Sequence, residues 1–222
     1  MPGPWAVIRA LGELASRGLM FRYIVASLFR VTWGYVAAVI IAVPLGLVLG
    51  WYGRGARAIG PLIQVFRPIS PLAWIPIAIL WFGVGDVSAV FIIFLASFWP
   101  VLLASMEAVR NVPTVNIQAA RNFGYTGVGL IRHVVFPAAI PRLVVGLRLA
   151  LGIAWLVDVA AEMIAVNSGL GFLIVDSRNA GNRYDLVVAG MVLIGMIGLV
   201  LDLGMRQLDT RRGVSAGAGS RA

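Results

Sequence analysis

Cysteine is absent from the 222 residues, so neither a disulfide framework nor a thiolate metal site is available. Histidine occurs once, at His133. A single imidazole leaves too few ligands for zinc and no Ser/His pair from which an intramembrane hydrolase could be built. Lysine is also missing, every basic residue being Arg, and no GxxxxGK[ST] loop is present to cradle a nucleotide. Charge is scarce: 12% of residues are charged and 60% hydrophobic, with a mean hydropathy of +0.94, against about 25% and about 45–50% in a soluble domain. The N-terminus has no basic stretch followed by an apolar core and a small-residue cleavage site, and so does not read as a secretory signal.

What is present is a series of apolar runs long enough to cross a bilayer, which needs about 20 residues each. Five are expected: about Tyr23 to Trp51, Ile63 to Phe82, Val87 to Ala108, Ala139 to Val166 and Leu186 to Met205. The second contains Pro68, Pro71 and Pro76 and must be broken or kinked, leaving carbonyls that only protein or a wet cavity can satisfy. The polar intervals are a turn at Arg54 and Arg57, a long interval from Val109 to Phe136, a loop from Asn167 to Asp185 and a basic tail. The chain therefore reads as an all-α, polytopic helical membrane protein. Residues 1–22 form an N-terminal segment, 23–208 a transmembrane domain with a cytoplasmic loop at 109–137, and 209–222 a disordered tail.

The net charge of +9 does not indicate nucleic acid, because the Arg residues are dispersed between apolar runs rather than gathered in a stripe. They follow the rule that short cytoplasmic loops carry the positive excess. Placing Val109 to Phe136 inside puts Arg54, Arg57, Arg110, Arg121, Arg132, Arg206, Arg211 and Arg212 in the cytoplasm and Arg178 and Arg183 outside. An odd number of spans then leaves Arg9, Arg17 and Arg22 outside. Either a further helix precedes this segment, or the residues up to about Phe21 form an amphipathic helix on the membrane surface; the second reading is adopted here.

The interval QAARNFGYTGVGLIRHVVFPAAIP carries the functional signal. Ala119 and Ala120 leave a low helix surface, Gly124 permits a left-handed turn, and Tyr125 to Val135 can form a second short helix. This spacing resembles the cytoplasmic signature of binding-protein-dependent ABC importer permeases of the type I, EAA-loop kind: Glu-Ala-Ala, three residues, Gly, nine residues, then Ile-x-Leu-Pro. Here Val134 takes the Ile position and Pro137 the Pro position, while Gln118 replaces the usual Glu. The resemblance runs from about Leu28 to Leu208, and RPISPLAWIPIAILWFGVGD and GIAWLVDVAAEMIAVNSGLGFLI look like segments of the branch importing nitrate, bicarbonate, taurine and other sulfonates.

The resemblance implies a coupling loop seated in a groove of a cytoplasmic ATPase, with Gln118, Ala119, Ala120, Arg121, Gly124, Tyr125, Arg132, His133 and Pro137 as its residues. It implies two permease copies lining one pathway, two ATPases that hold ATP and Mg, and an extracytoplasmic substrate-binding protein, in a bacterial plasma (inner) membrane. No cofactor is expected in this chain. For the pathway, Ser70 and Trp74 in the proline-broken span and Trp155, Asp158 and Glu162 in the fourth are the candidates. Asp158 and Glu162 are four apart and share a helix face; they either reach water at the outer end or act within the bundle, gating it or pairing with Arg178 or Arg183. The same two carboxylates are the only support for the alternative of a secondary transporter or channel.

Overall fold

A computed structural model describes residues 2–179 and 181–217, with the side chains of residues 54, 56, 57 and 208–217 left aside. The Arg54, Arg57, Arg211 and Arg212 of the loop count thus lie outside the described side chains, and residues 218–222 lie outside the described residues altogether. The described residues form helices and their connections: α1 Pro4–Ser16, α2 Leu19–Trp51, α3 Gly53–Phe66, a 3₁₀ turn Pro71–Trp74, α4 Ile75–Phe82, α5 Asp86–Arg110, α6 Thr114–Asn122, α7 Gly127–Leu130, a π turn Ile131–Val135, α8 Phe136–Ala165, α9 Leu170–Asn179 and α10 Tyr184–Gly217.

Among the described residues, four helical stretches are long and apolar enough to cross a membrane: Leu19–Trp51, Asp86–Arg110, Gly127–Ala165 and Tyr184–Gln207. A fifth crossing is made if the broken pair α3 and α4 counts as one span. The break falls at Arg67 to Ser70, where Pro68 and Pro71 withhold backbone donors. One expectation is corrected: the interval from Asn167 to Asp185 is not simply a loop, since LGFLIVDSRN folds as α9. The backbone of α10 runs to Gly217. The N-terminal helix is present as α1, with Ala10 and Leu14 buried and Trp5 and Ile8 exposed.

The chain divides into two compact units, each drawing on pieces of the same long helices. The first comprises Met1–Ala37, Ile69–Ser97 and Leu151–Asp202. Its core gathers Leu14, Val31, Ile93, Ala154, Trp155, Leu170 and Leu193, and a second cluster joins Ile75, Ala78, Ile92, Ala161 and Val166. The second unit comprises Ala38–Pro68, Phe98–Ala150 and Leu203–Ala222. There α2 and α5 approach closely: a Cβ at Gly46 would lie 2.6 Å from the Leu102 carbonyl and 2.5 Å from the Ser105 Cβ, so only Gly fits. Such small-residue contacts are how helices gain packing in lipid, where apolar surface alone gives no drive to associate.

Candidate functional site

Two constellations stand out, one in each unit. In the second unit, residues 109–137 fold as short helical elements packed on the neighbouring long helices. Helix α6 ends at Asn122, and Gly124 follows at φ +84°, a left-handed conformation that closes the helix while its N–H donates to the Arg121 carbonyl and that of Tyr125 to the Ala120 carbonyl. The chain then re-enters helix at Gly127, passes through the π turn and continues as α8, so the expected second short helix is the start of the fourth span rather than a separate element. Pro137 lies just beyond the π turn and lacks the N–H that regular helix would donate to the His133 carbonyl, which accounts for the irregular register at that point.

The alanine pair is split. Ala120 is buried with Val109, Val112, Leu130 and Val135 in a cluster that also takes in Ala139 and Leu143 of α8, whereas Ala119 is exposed. Ala120, expected among the coupling residues, is thus buried rather than presented at the surface. Gln118, Arg121, Gly124, Tyr125, Arg132, His133 and Pro137 are exposed, as a contact surface requires. His133 Nδ1 lies 3.0 Å from the Gly129 carbonyl and its ring 5.9 Å from that of Tyr125. Sequence reasoning passed over the apolar members of this surface: Val115, Phe123 and Val128 are 70%, 85% and 78% exposed. Large apolar side chains presented by a polar interval mark an interaction face.

In the first unit, Arg30 of α2 is 1% exposed and holds a fan of partners. Its Nε donates to Asp86 Oδ1 (2.8 Å); one terminal nitrogen donates to Glu162 Oε1 (2.5 Å) and the Ser168 carbonyl (2.9 Å); the other reaches Ser168 Oγ and Asp86 Oδ1 (2.7 Å). Glu162 also accepts from Ser27 Oγ (2.7 Å) and the Gly171 N–H (2.8 Å), and Ser27 Oγ in turn accepts from the Leu170 N–H (3.0 Å). Gly169, at φ +106°, abuts the Glu162 carboxylate so closely that any side chain would collide with it. Arg30 is the residue that sequence reasoning missed. Its signal was available: a lone cation inside the first apolar run requires a buried carboxylate, and the fourth run carried two.

The expected pairing of Asp158 and Glu162 with Arg178 or Arg183 is corrected accordingly. Glu162 pairs with Arg30, while Arg183 binds Glu13 of α1 and Asp185, each at 2.8 Å. These bonds hold the Glu13 carboxyl below its ordinary value, chiefly through the hydrogen bond from Arg183, and hold Arg183 above its own. Asp158 and Glu162 are both 0% exposed, so neither reaches water at the outer end nor faces an open route. Both oxygens of Asp158 lack any hydrogen-bond partner. Of the other pathway candidates, Trp155 is buried and donates from its indole N–H to the Ile194 carbonyl (3.2 Å), a packing role. Trp74 packs half-buried on the Ile75 cluster, and Ser70 is exposed at the break. No group of three metal-ligating side chains occurs among the described residues.

Residues 34–214 match the family model described as "Binding-protein-dependent transport system inner membrane component". The chain belongs to this family. An ABC transporter permease protein of Methanocaldococcus jannaschii is 41% identical to the permease over 217 residues, covering 95% of this chain and 80% of that protein. The taurine transport system permease protein of Escherichia coli K12 is 35% identical over 218 residues, covering 95% and 78%. The nitrate import permease protein of Leptolyngbya laminosa is 35% identical over 191 residues, covering 86% and 68%. In fold, the permease resembles the MetNI methionine ABC transporter in an inward facing conformation, at a TM-score of 0.70 and 18% identity, covering 96% of this chain and 99% of that one. It is thus the membrane-spanning subunit of an ABC importer, a multi-pass component of the bacterial plasma (inner) membrane without an ATP site of its own, and its family implies ATPase and substrate-binding partners.

Proposed function

We propose that two copies of this permease form the translocation pathway for a small anion of the nitrate, bicarbonate, taurine or sulfonate class. Cargo arrives from an external binding protein, and two cytoplasmic ATPases that hold ATP and Mg drive transport. The observation that carries this reading is the folded 109–137 loop, which exposes Val115, Phe123 and Val128 together with Gln118 and Arg121. With Gln118 uncharged, Arg121 is the charged contact to the ATPase. Relatives named for taurine, nitrate and aliphatic sulfonates support the cargo class.

The test is reconstitution of the permease with its ATPase and binding protein in vesicles, followed by uptake of labelled taurine and of nitrate. Uptake of at least one should require ATP, the ATPase and the binding protein together. Uptake driven by a proton gradient with the permease alone would reject the reading in favour of a secondary transporter.

A further inference from the structure

The Arg30 guanidinium makes four hydrogen bonds and a further ion-pair contact in the fan described above, none of them to Asp158. Asp158 nevertheless lies on the same face of α8 as Glu162, one turn away, fully enclosed, with both oxygens unpartnered. Burying an ionised carboxylate without a donor or counter-ion costs on the order of several kcal/mol, so Asp158 can carry its charge there only when a cation reaches it. Four residues of helix correspond to about 6 Å along the axis, a distance that an Arg side chain can cover by changing rotamers.

We propose that Asp158 is a second station for the Arg30 guanidinium. In the present state Arg30 sits on Glu162 and, through the Ser168 carbonyl and hydroxyl, clamps the turn between α8 and α9. In the other state the guanidinium steps one helical turn along α8 to Asp158, and the Ser168 turn is released. One-turn steps between discrete partners are an established form of switching. The two stations make the switch two-state rather than elastic: the first offers Glu162, Asp86 and Ser168, the second a carboxylate held empty in advance. Glu162 does not become orphaned on transfer, since Ser27 Oγ and the Gly171 N–H remain bound to it. The inference rests on the importer reading in one respect: with the 109–137 loop inside, Asp86 at the start of α5 and Ser168 beyond the end of α8 both lie at the outer ends of their spans, so the released turn is an outer gate.

The absence of native cysteine permits a direct test. Leu170 is 0% exposed and its N–H is bound to Ser27, so Leu170→Cys places a reporter under the clamped turn. In the permease–ATPase complex in nanodiscs, trapping with ATP and vanadate should raise labelling by a membrane-impermeant maleimide about tenfold. Adding Asp158→Asn should abolish that rise while ATPase copurification is unchanged, and Asp158→Glu should restore part of it. An undiminished rise with Asp158→Asn would overturn the proposal. Loss of ATPase copurification by the parent chain would instead strike the importer reading. Should Asp158→Asn fail to insert, the structure of the vanadate-trapped complex without that change decides: an Arg30–Asp158 ion pair supports the switch, and Arg30 still on Glu162 refutes it.

Discussion

The Arg30 cluster and the 109–137 loop hold themselves together by opposite means. The cluster concentrates its bonds on one guanidinium that is 1% exposed. The loop spreads its stability over small apolar contacts among Val109, Val112, Ala120, Leu130 and Val135 and turns its polar and aromatic side chains outward. A point fixture fails when one group is removed. A distributed core tolerates single changes and separates the residues that build it from those that present its surface. The cluster suits a latch with discrete positions, and the loop suits a rigid body that transmits a push.

The largest expected effect breaks the comparison on the cluster side. Glu162→Ala removes the buried carboxylate that Arg30 holds in the present state and should destabilise that state by about 3–5 kcal/mol, the range for breaking a buried pair, with transfer of the guanidinium to Asp158 offsetting part of the loss. Thermal denaturation in detergent measures it. A change comparable to that of an exposed ion pair would mean that water reaches Arg30 and that the cluster is no point fixture.

On the loop side, two substitutions three residues apart should separate. Ala120→Leu inserts bulk into a packed core and should cost about 1–3 kcal/mol, weakening ATPase binding only through the loop's own fold. Phe123→Asp touches nothing inside, because Phe123 is 85% exposed. It should leave thermal stability unchanged yet lower ATPase copurification at least tenfold. If the two variants lose stability and partner in the same proportion, the division between core and surface is wrong. A smaller effect is expected of Gly124→Ala. Nothing lies within 4 Å of a Cβ there, so only the left-handed backbone is penalised, by about 1–2 kcal/mol.

How much of this was legible in the sequence follows from the same contrast. The loop's outline was readable because it depends on local chemistry, a glycine at a left-handed turn and prolines beyond a short helix. The inward member of the Ala119–Ala120 pair was not, since adjacent residues on a helix point about 100° apart and the choice is made by Leu130 and Val135, which pack on it from farther along the chain. The spacing of Asp158 and Glu162 correctly predicted a shared face, but not which carboxylate Arg30 takes: Ser27, Gly171 and Ser168 decide that, and they meet only after α2, α8 and α9 have packed. α9 escaped notice because the short apolar run LGFLIV lies among polar residues, and periodicity needs a longer window to register.

The smallest effect tests whether every charged contact in the first unit behaves as Arg30 does. The Arg183–Glu13 bond joins α1 to the residue before α10, but it is open to water and screened, so it belongs with surface pairs of modest worth. Its pH dependence has a definite sign. Because the folded-state value of Glu13 is depressed, its contribution is complete above the ordinary glutamate value and disappears as pH falls through the depressed one; Arg183, held above its own ordinary value, stays charged throughout. Hydrogen exchange in α1 should therefore quicken on acidification through that window, and Glu13→Gln should produce the faster exchange already at neutral pH and remove the acid dependence. Exchange in α2 around Arg30 should not respond to Glu13→Gln, since none of the bonds holding Arg30 involves Glu13. If α2 loosened along with α1, the surface clasp and the buried latch would be one mechanical element, and the first unit could no longer be described by a single point fixture.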